Sequence, residues 1–176
     1  MALFRFPDAG LFFSAVLMGG MVSLAPTGDA AAGSSEELHQ LCRRLRNDDT
    51  LREYSPALRA GTIAAFKRLA PNAQGVPADD ELKTQAIFRC MGGKVLVCFV
   101  GANLPCAKMN AARDNPGANR FCRENPNDDD VPAVAAGHDA VYSYRCRNGR
   151  AETTGELWKL DERGFAKTLW AEVPER

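Results

Sequence analysis

The stretch Gln85-Ala86-Ile87-Phe88-Arg89-Cys90-Met91-Gly92-Gly93-Lys94-Val95-Leu96-Val97-Cys98-Phe99-Val100 decides the fold. Two apolar-rich runs, 85–90 and 94–101, flank Met91-Gly92-Gly93, and adjacent glycines supply the positive φ angles that a two-residue hairpin turn demands. The spacing predicts a β-hairpin. Its second arm, 95–100, is apolar on both faces, the signature of an interior strand covered on each side. A Gly92-Gly93 turn sets Cys90 opposite Val95 and Cys98 opposite Ile87. The two sulfurs then leave opposite faces of the sheet, which disfavours a Cys90–Cys98 bridge.

Toward the N-terminus the period changes. Ser34-Ser35-Glu36-Glu37 has the form of a capping box, and Leu38, Leu41, Cys42 and Leu45 follow at helical spacing, which predicts a helix over 35–47. Cys42 falls in the apolar stripe, and His39 beside it is read as exposed. Ser55-Pro56 opens a second helix, to about residue 70, with Leu58, Ile63, Phe66 and Leu69 inward. Residues 71–80 read as a loop rich in proline, glycine and aspartate.

Toward the C-terminus, 103–131 is polar and interrupted by Pro105, Pro116 and Pro126. It reads as a long irregular excursion with one helical turn near 119–123, and a loop of that length in a compact domain calls for a functional reason. Val141–Cys146 alternates as a strand, a turn follows at Arg147-Asn148-Gly149, and a strand runs through Leu157, Trp158 and Leu160. Asp161-Glu162-Arg163-Gly164 forms a type I turn into a returning strand, 165–170, which would let Trp158 and Trp170 meet. Phe88-Arg89-Cys90-Met91-Gly92-Gly93 and Tyr144-Arg145-Cys146-Arg147-Asn148-Gly149 share aromatic-Arg-Cys-x-x-Gly. Six positions are too few to show duplication, and the match is read as two similar hairpins. The expected fold class is α+β: two N-terminal helices packed on an antiparallel sheet of about five strands.

The first 32 residues read as a signal peptide, with Arg5 in the n-region and an apolar run from Leu11 to Ala25 that is short for a membrane span of about 20 residues. Small residues at Gly28, Ala30, Ala31, Ala32 and Gly33 offer cleavage sites. The remainder, 33–176, is then one exported domain, periplasmic or secreted, with no stable membrane anchor. All six cysteines, Cys42, Cys90, Cys98, Cys106, Cys122 and Cys146, lie beyond the leader, and an even set in an exported chain reads as disulfides. Spacing does not dictate their connectivity. Cys106–Cys122 is favoured, as a staple for the 103–131 loop, over a Cys98–Cys106 rival.

A formal net charge of zero and a pI near 6.7 argue against a nucleic-acid partner, because phosphate binding requires a surplus of Lys and Arg. No C-x2-C pair, P-loop, G-x-S-x-G or H-E-x-x-H pattern occurs, so neither a metal nor a cofactor is expected. The acidic run Asp128-Asp129-Asp130 lacks the glycine and glutamate of a calcium loop. Candidate binding residues are Asn103 at the start of the excursion, His138 and Asp139 just before a strand, and Arg145 and Arg147 beside the turn, with Arg150 near them. The reading is an exported binding or inhibitor-like module, presenting its loop to an unknown protein or envelope partner. The alternatives are a hydrolase using His138 with a carboxylate from Asp139 or 128–130, and an envelope structural protein.

Arg89-Cys90, Gly101-Ala102-Asn103-Leu104-Pro105-Cys106, Phe121-Cys122, Asn125-Pro126, Gly137-His138 and Tyr144-Arg145-Cys146 together resemble a group of small, uncharacterised exported proteobacterial proteins. That resemblance covers roughly residues 86–171 and implies export and a shared cysteine framework. A much weaker likeness, through Tyr144-Arg145-Cys146 and its glycine turn, is to all-β periplasmic lysozyme inhibitors. The two helices and the Asn/Pro-rich loop depart from those inhibitors.

Epitope-tagged protein expressed in a bacterial host is expected in the periplasmic fraction with its mature N-terminus between Ala30 and Gly33. Full-length protein in the cytoplasm or membrane would overturn both the compartment and the disulfide reading.

Overall fold

The computed structural model describes residues 33–101 and 104–175; the predicted leader and Asn103 lie outside the described residues. Helix α1 (Ser35–Leu45) opens with the expected capping box, in which Ser34 Oγ accepts from Glu37 N at 3.2 Å and Glu37 Oε2 accepts from Ser34 N. Its buried face, however, is His39 with Cys42, while Leu45 is exposed. The bond from Cys42 to Cys90 fixes which side of the helix meets the sheet, and His39, three residues earlier, shares that side. A 3-10 turn at Pro56–Leu58 leads into α2 (Arg59–Leu69), and an unanticipated α3 (Asp79–Gln85) runs from the end of the expected loop to the first residue of the expected strand.

The anticipated hairpin is β2 (Ala86–Met91) and β3 (Lys94–Phe99), with Cys90 opposite Val95 and Cys98 opposite Ile87 as the turn requires. Gly92 and Gly93 have φ of 61° and 79°. An unanticipated strand, β1 (Asp48–Glu53), pairs with the outer side of β2, and a short β6 (Ala171–Glu172) pairs with β3. The four-stranded antiparallel sheet has the order β1-β2-β3-β6, so β3 is interior. One face carries Phe88, Cys90, Val95 and Val97 against Cys42, Leu58, Ala65 and Leu82 of the helical layer. The other carries Ile87, Leu96 and Cys98 against Cys106, Phe165 and Trp170.

The rest of the strands form a separate two-stranded sheet, β4 (Tyr142–Arg147) and β5 (Arg150–Glu156), in place of one five-stranded sheet. The expected strands through 157–160 and 165–170 are absent: one bridge joins Leu160 to Ala166, and a 3-10 turn spans Lys167–Leu169. The Asp161–Gly164 turn forms as read, with Gly164 N donating to Asp161 O at 3.1 Å. Trp158 and Trp170 fall in different apolar clusters, Trp170 packing edge-on against Phe165.

Within 103–131, α4 (Pro116–Glu124) is a full helix capped by Asn115, and α5 (Ala133–Ala136) follows. The bridges are Cys42–Cys90, Cys98–Cys106 and Cys122–Cys146, so the Cys106–Cys122 staple is incorrect. Leu104 bridges to Gly101, and Cys106 lies over the sheet face that bears Cys98. Cys122 sits on the buried side of α4, beneath Cys146. The excursion therefore has two apolar anchors of its own and does not need a tie between its ends.

The two similar hairpins are embedded in matching surroundings. Each carries a strand cysteine bonded to a helix cysteine, Cys90 to Cys42 and Cys146 to Cys122. In each, the backbone after the helix holds the turn: Arg46 O accepts from Gly93 N and Pro126 O from Gly149 N. Asn47 Oδ1 accepts from Gly92 N, and Asn127 Oδ1 accepts from Asn148 N. The next residue makes an Asx turn both times, Asp48 Oδ1 with Thr50 N and Asp128 Oδ1 with Asp130 N. All these pairs keep a constant offset within each arm, and Cys-x4-Asn-Asp-Asp recurs at Cys42 and Cys122. The chain thus contains the same helix–turn–hairpin unit twice. The copies differ in charge pairing: Asp48 also takes the Arg52 guanidinium, which together with the Thr50 amide holds its carboxyl down to about 2.

Arg89 is fully buried on the second sheet face, paired with Asp161 and covered by Phe165 and Trp170 at 4.0 and 4.7 Å from its guanidinium carbon. Arg89→Met strands the Asp161 carboxylate, and its expected cost in urea unfolding of the oxidised protein is about 3–5 kcal/mol. A loss under about 1 kcal/mol would show that the pair contributes nothing beyond its bulk.

Candidate functional site

The second helix–hairpin unit holds the exposed candidate residues. Its core is Ala118, Cys122, Val131, Ala140, Tyr144 and Cys146, fixing β4 against α4. Strand alternation then turns Ser143, Arg145 and Arg147 outward. Asn115, almost wholly buried, accepts from Ala118 N at 3.0 Å and donates Nδ2 to Ala136 O at 2.7 Å, locking α4 to α5. The β4–β5 turn is Asn148-Gly149, with φ of 51° and 79°.

His138 and Asp139 are exposed on the loop between α5 and β4. His138 lines a cleft of about 350 Å³ with Asp130, Tyr142, Ser143, Leu157 and Trp158. The Ser143 hydroxyl is engaged across the hairpin, 2.8 Å from Thr154 Oγ1. Two large apolar side chains of this unit are solvent-exposed: Val134 at 83% and Leu157 at 60%. Leu157 belongs to the cleft wall, and Val134 lies between two other lining residues, Ala133 and Ala136.

Arg145 lies across from Glu152, with Nε and Nη2 at 3.3 and 3.2 Å from one carboxylate oxygen. Arg147 stands 3.8 Å from Asp129. Arg147 also lines a second, open groove of about 780 Å³, with Arg113, Asn119, Arg150 and Thr153 among the other walls. The predicted residues are therefore divided: His138 belongs to the apolar cleft and Arg147 to the polar groove. Arg113 lies in the part of the excursion read as irregular, and Asn119 at the start of the helical turn read near 119–123, where neither stands out as a site residue. The helical spacing that puts Asn119 on the Cys122 side of α4 was the available signal.

Guanidinium groups with free donors suit carboxylate recognition through paired N–H···O bonds. Among the described residues, no group of three or more His, Cys, Asp or Glu is arranged to hold a metal ion, and no helix is long and apolar enough to cross a membrane. Comparison with protein-family models, curated proteins and solved structures gives no match.

The Arg145–Glu152 pair is largely solvated, so Arg145→Ala is expected to change the unfolding free energy by less than about 1 kcal/mol. Chemical denaturation checks this, and a larger loss would mean that Arg145 holds the hairpin rather than facing a ligand.

Proposed function

We propose that this protein is an exported, disulfide-locked binding module whose partner is a protein of the envelope or the secreted fraction. The observation that carries the reading is the pair Val134 and Leu157, large apolar side chains left in solvent on a unit whose backbone is tied by Cys122–Cys146. Scattered exposed apolar residues are ordinary, but Leu157 in the wall of a cleft and Val134 on the helix that supplies Ala133 and Ala136 to it, on a rigid frame, have the character of a contact surface. Three bridges accord with an oxidising compartment. The loop is presented differently from a simple staple, since its two halves are anchored separately to the two sheets.

The hydrolase alternative draws on one fact: His138 and Asp130 line the same cleft. The inhibitor form of the binding reading, suggested by Tyr144-Arg145-Cys146 and its turn, is supported by exposed Arg145 and Arg147 beside that turn.

Oxidised protein immobilised on resin is expected to retain a partner from periplasmic extract, and Val134→Asp with Leu157→Asp is expected to abolish retention while near-UV circular dichroism stays unchanged. Inhibition of a lysozyme panel, lost in Arg145→Glu, would specify the inhibitor form. Ester or peptide hydrolysis abolished by His138→Ala, with no partner retained, would replace the binding reading by the enzymatic one.

A further inference from the structure

The two copies of the helix–hairpin unit differ at one edge. In the first, the outer side of β3 is occupied: β6 pairs with it at Leu96–Glu172 and Val97–Ala171, and Val173 N donates to Val95 O at 2.8 Å. The added segment is held by charge, Lys94 Nζ lying 2.6 Å from Glu172 Oε2 and Arg43 pairing with Glu175. It sits so close to α2 that a Cβ on Gly61 would stand 2.5 Å from Val173 Cγ1.

In the second copy the corresponding edge is β5, and among the described residues no strand adds to it. Counting from the matched turns, Ala151 and Thr153 take the places of Val95 and Val97, Arg150 that of Lys94, and Asn119 of α4 that of His39 of α1. Register confirms the sidedness. Arg147–Arg150 closes a two-residue turn, so Cys146–Ala151 and Tyr144–Thr153 are the pairs whose backbone groups point away from the partner strand. On the β4 side those groups are taken, Cys146 N donating to Asp128 O and Tyr144 O accepting from Val131 N. On the β5 side, Ala151 N donates to Asn119 Oδ1 at 3.1 Å, while Ala151 O and the Thr153 backbone face the open groove. That groove is the counterpart of the space β6 fills in the first copy, and its walls bring Arg113, Arg147 and Arg150 to it against two carboxylates, Asp114 and Glu152.

We propose that the β5 edge is a strand-addition site for an extended, acidic segment of a partner protein, with the chemistry of this chain's own Ala171-Glu172-Val173-Pro174-Glu175. Main-chain bonds to Ala151 O and Thr153 supply the pairing, as in other recognition by added strands, and the arginines select the segment's carboxylates. Arg150 takes the role that Lys94 has toward Glu172. This rests on the binding-module reading and names a surface apart from the Val134–Leu157 cleft.

The probe is a fluorescently labelled heptapeptide copying Leu169–Glu175, titrated with the full oxidised protein and followed by polarisation. Saturable binding is expected, weakened at high salt and lost when both peptide glutamates are lysine. Arg150→Glu is expected to weaken it at least tenfold, and Thr153→Pro, which removes only an outward N–H, by a similar factor. Lys83→Glu on α3, an equal charge change outside the groove, is expected to leave it unchanged, and near-UV circular dichroism identifies any variant that has lost its fold. Absence of saturable binding, equal binding of the lysine peptide, or indifference to both groove variants would each overturn the site. Concentration-dependent dimerisation competed by the peptide would assign the groove to the tail of a second copy and overturn the partner assignment. Retention of a periplasmic partner that survives Arg150→Glu but not the Val134–Leu157 substitution refutes the groove alone, whereas loss of every interaction refutes the binding reading itself.

Discussion

A guanidinium without solvent exposure lies between the four-stranded sheet and the C-terminal segment. Moving the Arg89 charge out of water costs several kcal/mol; the Asp161 carboxylate on Nη2 and two aromatic faces offset part of it, while Nε and Nη1 lie buried without a hydrogen-bond partner. The same carboxylate accepts from Arg163 N and Phe165 N, so the ion pair and the turn that presents it are fixed together. Phe165 and Trp170 then cover the ring of contacts around Cys98–Cys106. Trp170 is followed at once by β6, so placement of the sheet's outermost strand depends on this buried charge. On β2 two neighbouring residues tie the strand in opposite directions, Cys90 to α1 by sulfur and Arg89 to the C-terminal segment by charge.

The duplicated unit shows what such a tie changes. In the first copy Arg89 is covered and the hairpin becomes the middle of a sheet. In the second, the corresponding Arg145 remains in solvent beside Glu152, and its hairpin stays two-stranded. Aromatic-Arg-Cys therefore encodes the strand and its cysteine in both places, while the fate of the arginine depends on whether a later segment of chain arrives to cover it. A local pattern can specify a hairpin without specifying the layer that hairpin joins.

What was legible in the sequence follows the same division. The Gly92-Gly93 turn, the facing of Cys90 and Cys98, the capping box at Ser34 and the interior character of β3 are local or nearly so, and each could be read. Strand β1, Asp-Asp-Thr-Leu-Arg-Glu, is a polar edge strand without an apolar alternation, held through its backbone to β2. Helix α3 has one buried apolar residue, Leu82, and its signal was the acidic first turn with Glu81 reaching back to Ala78 N. Both elements lie below the threshold of hydrophobic periodicity. The spacing of Leu38, Leu41 and Leu45 places His39 in solvent, whereas the Cys42–Cys90 bond defines the buried face. The cysteine pairing failed for a related reason: Cys106 and Cys122 bracket one loop in sequence but belong to different apolar clusters. Of the candidate residues, the exposed positions of His138, Asp139, Arg145 and Arg147 could be anticipated from turns and alternation. The groove along β5 could not, because it is defined by comparison with the occupied edge of another unit.

The three bridges also have an order. Cys42–Cys90, Cys98–Cys106 and Cys122–Cys146 each join a cysteine to the next one along the chain, with none interlaced. A polypeptide threaded N-terminus first into an oxidising compartment presents its thiols in that same sequence. An oxidant coupling each newly arrived thiol to the one still free before it generates the native set directly, without the thiol–disulfide exchange that corrects mispaired chains. Reshuffling is among the slow steps available to a folding protein, lasting seconds to hours. The connectivity is vectorial: a chain built this way can close its covalent framework while its C-terminal end is still in transit.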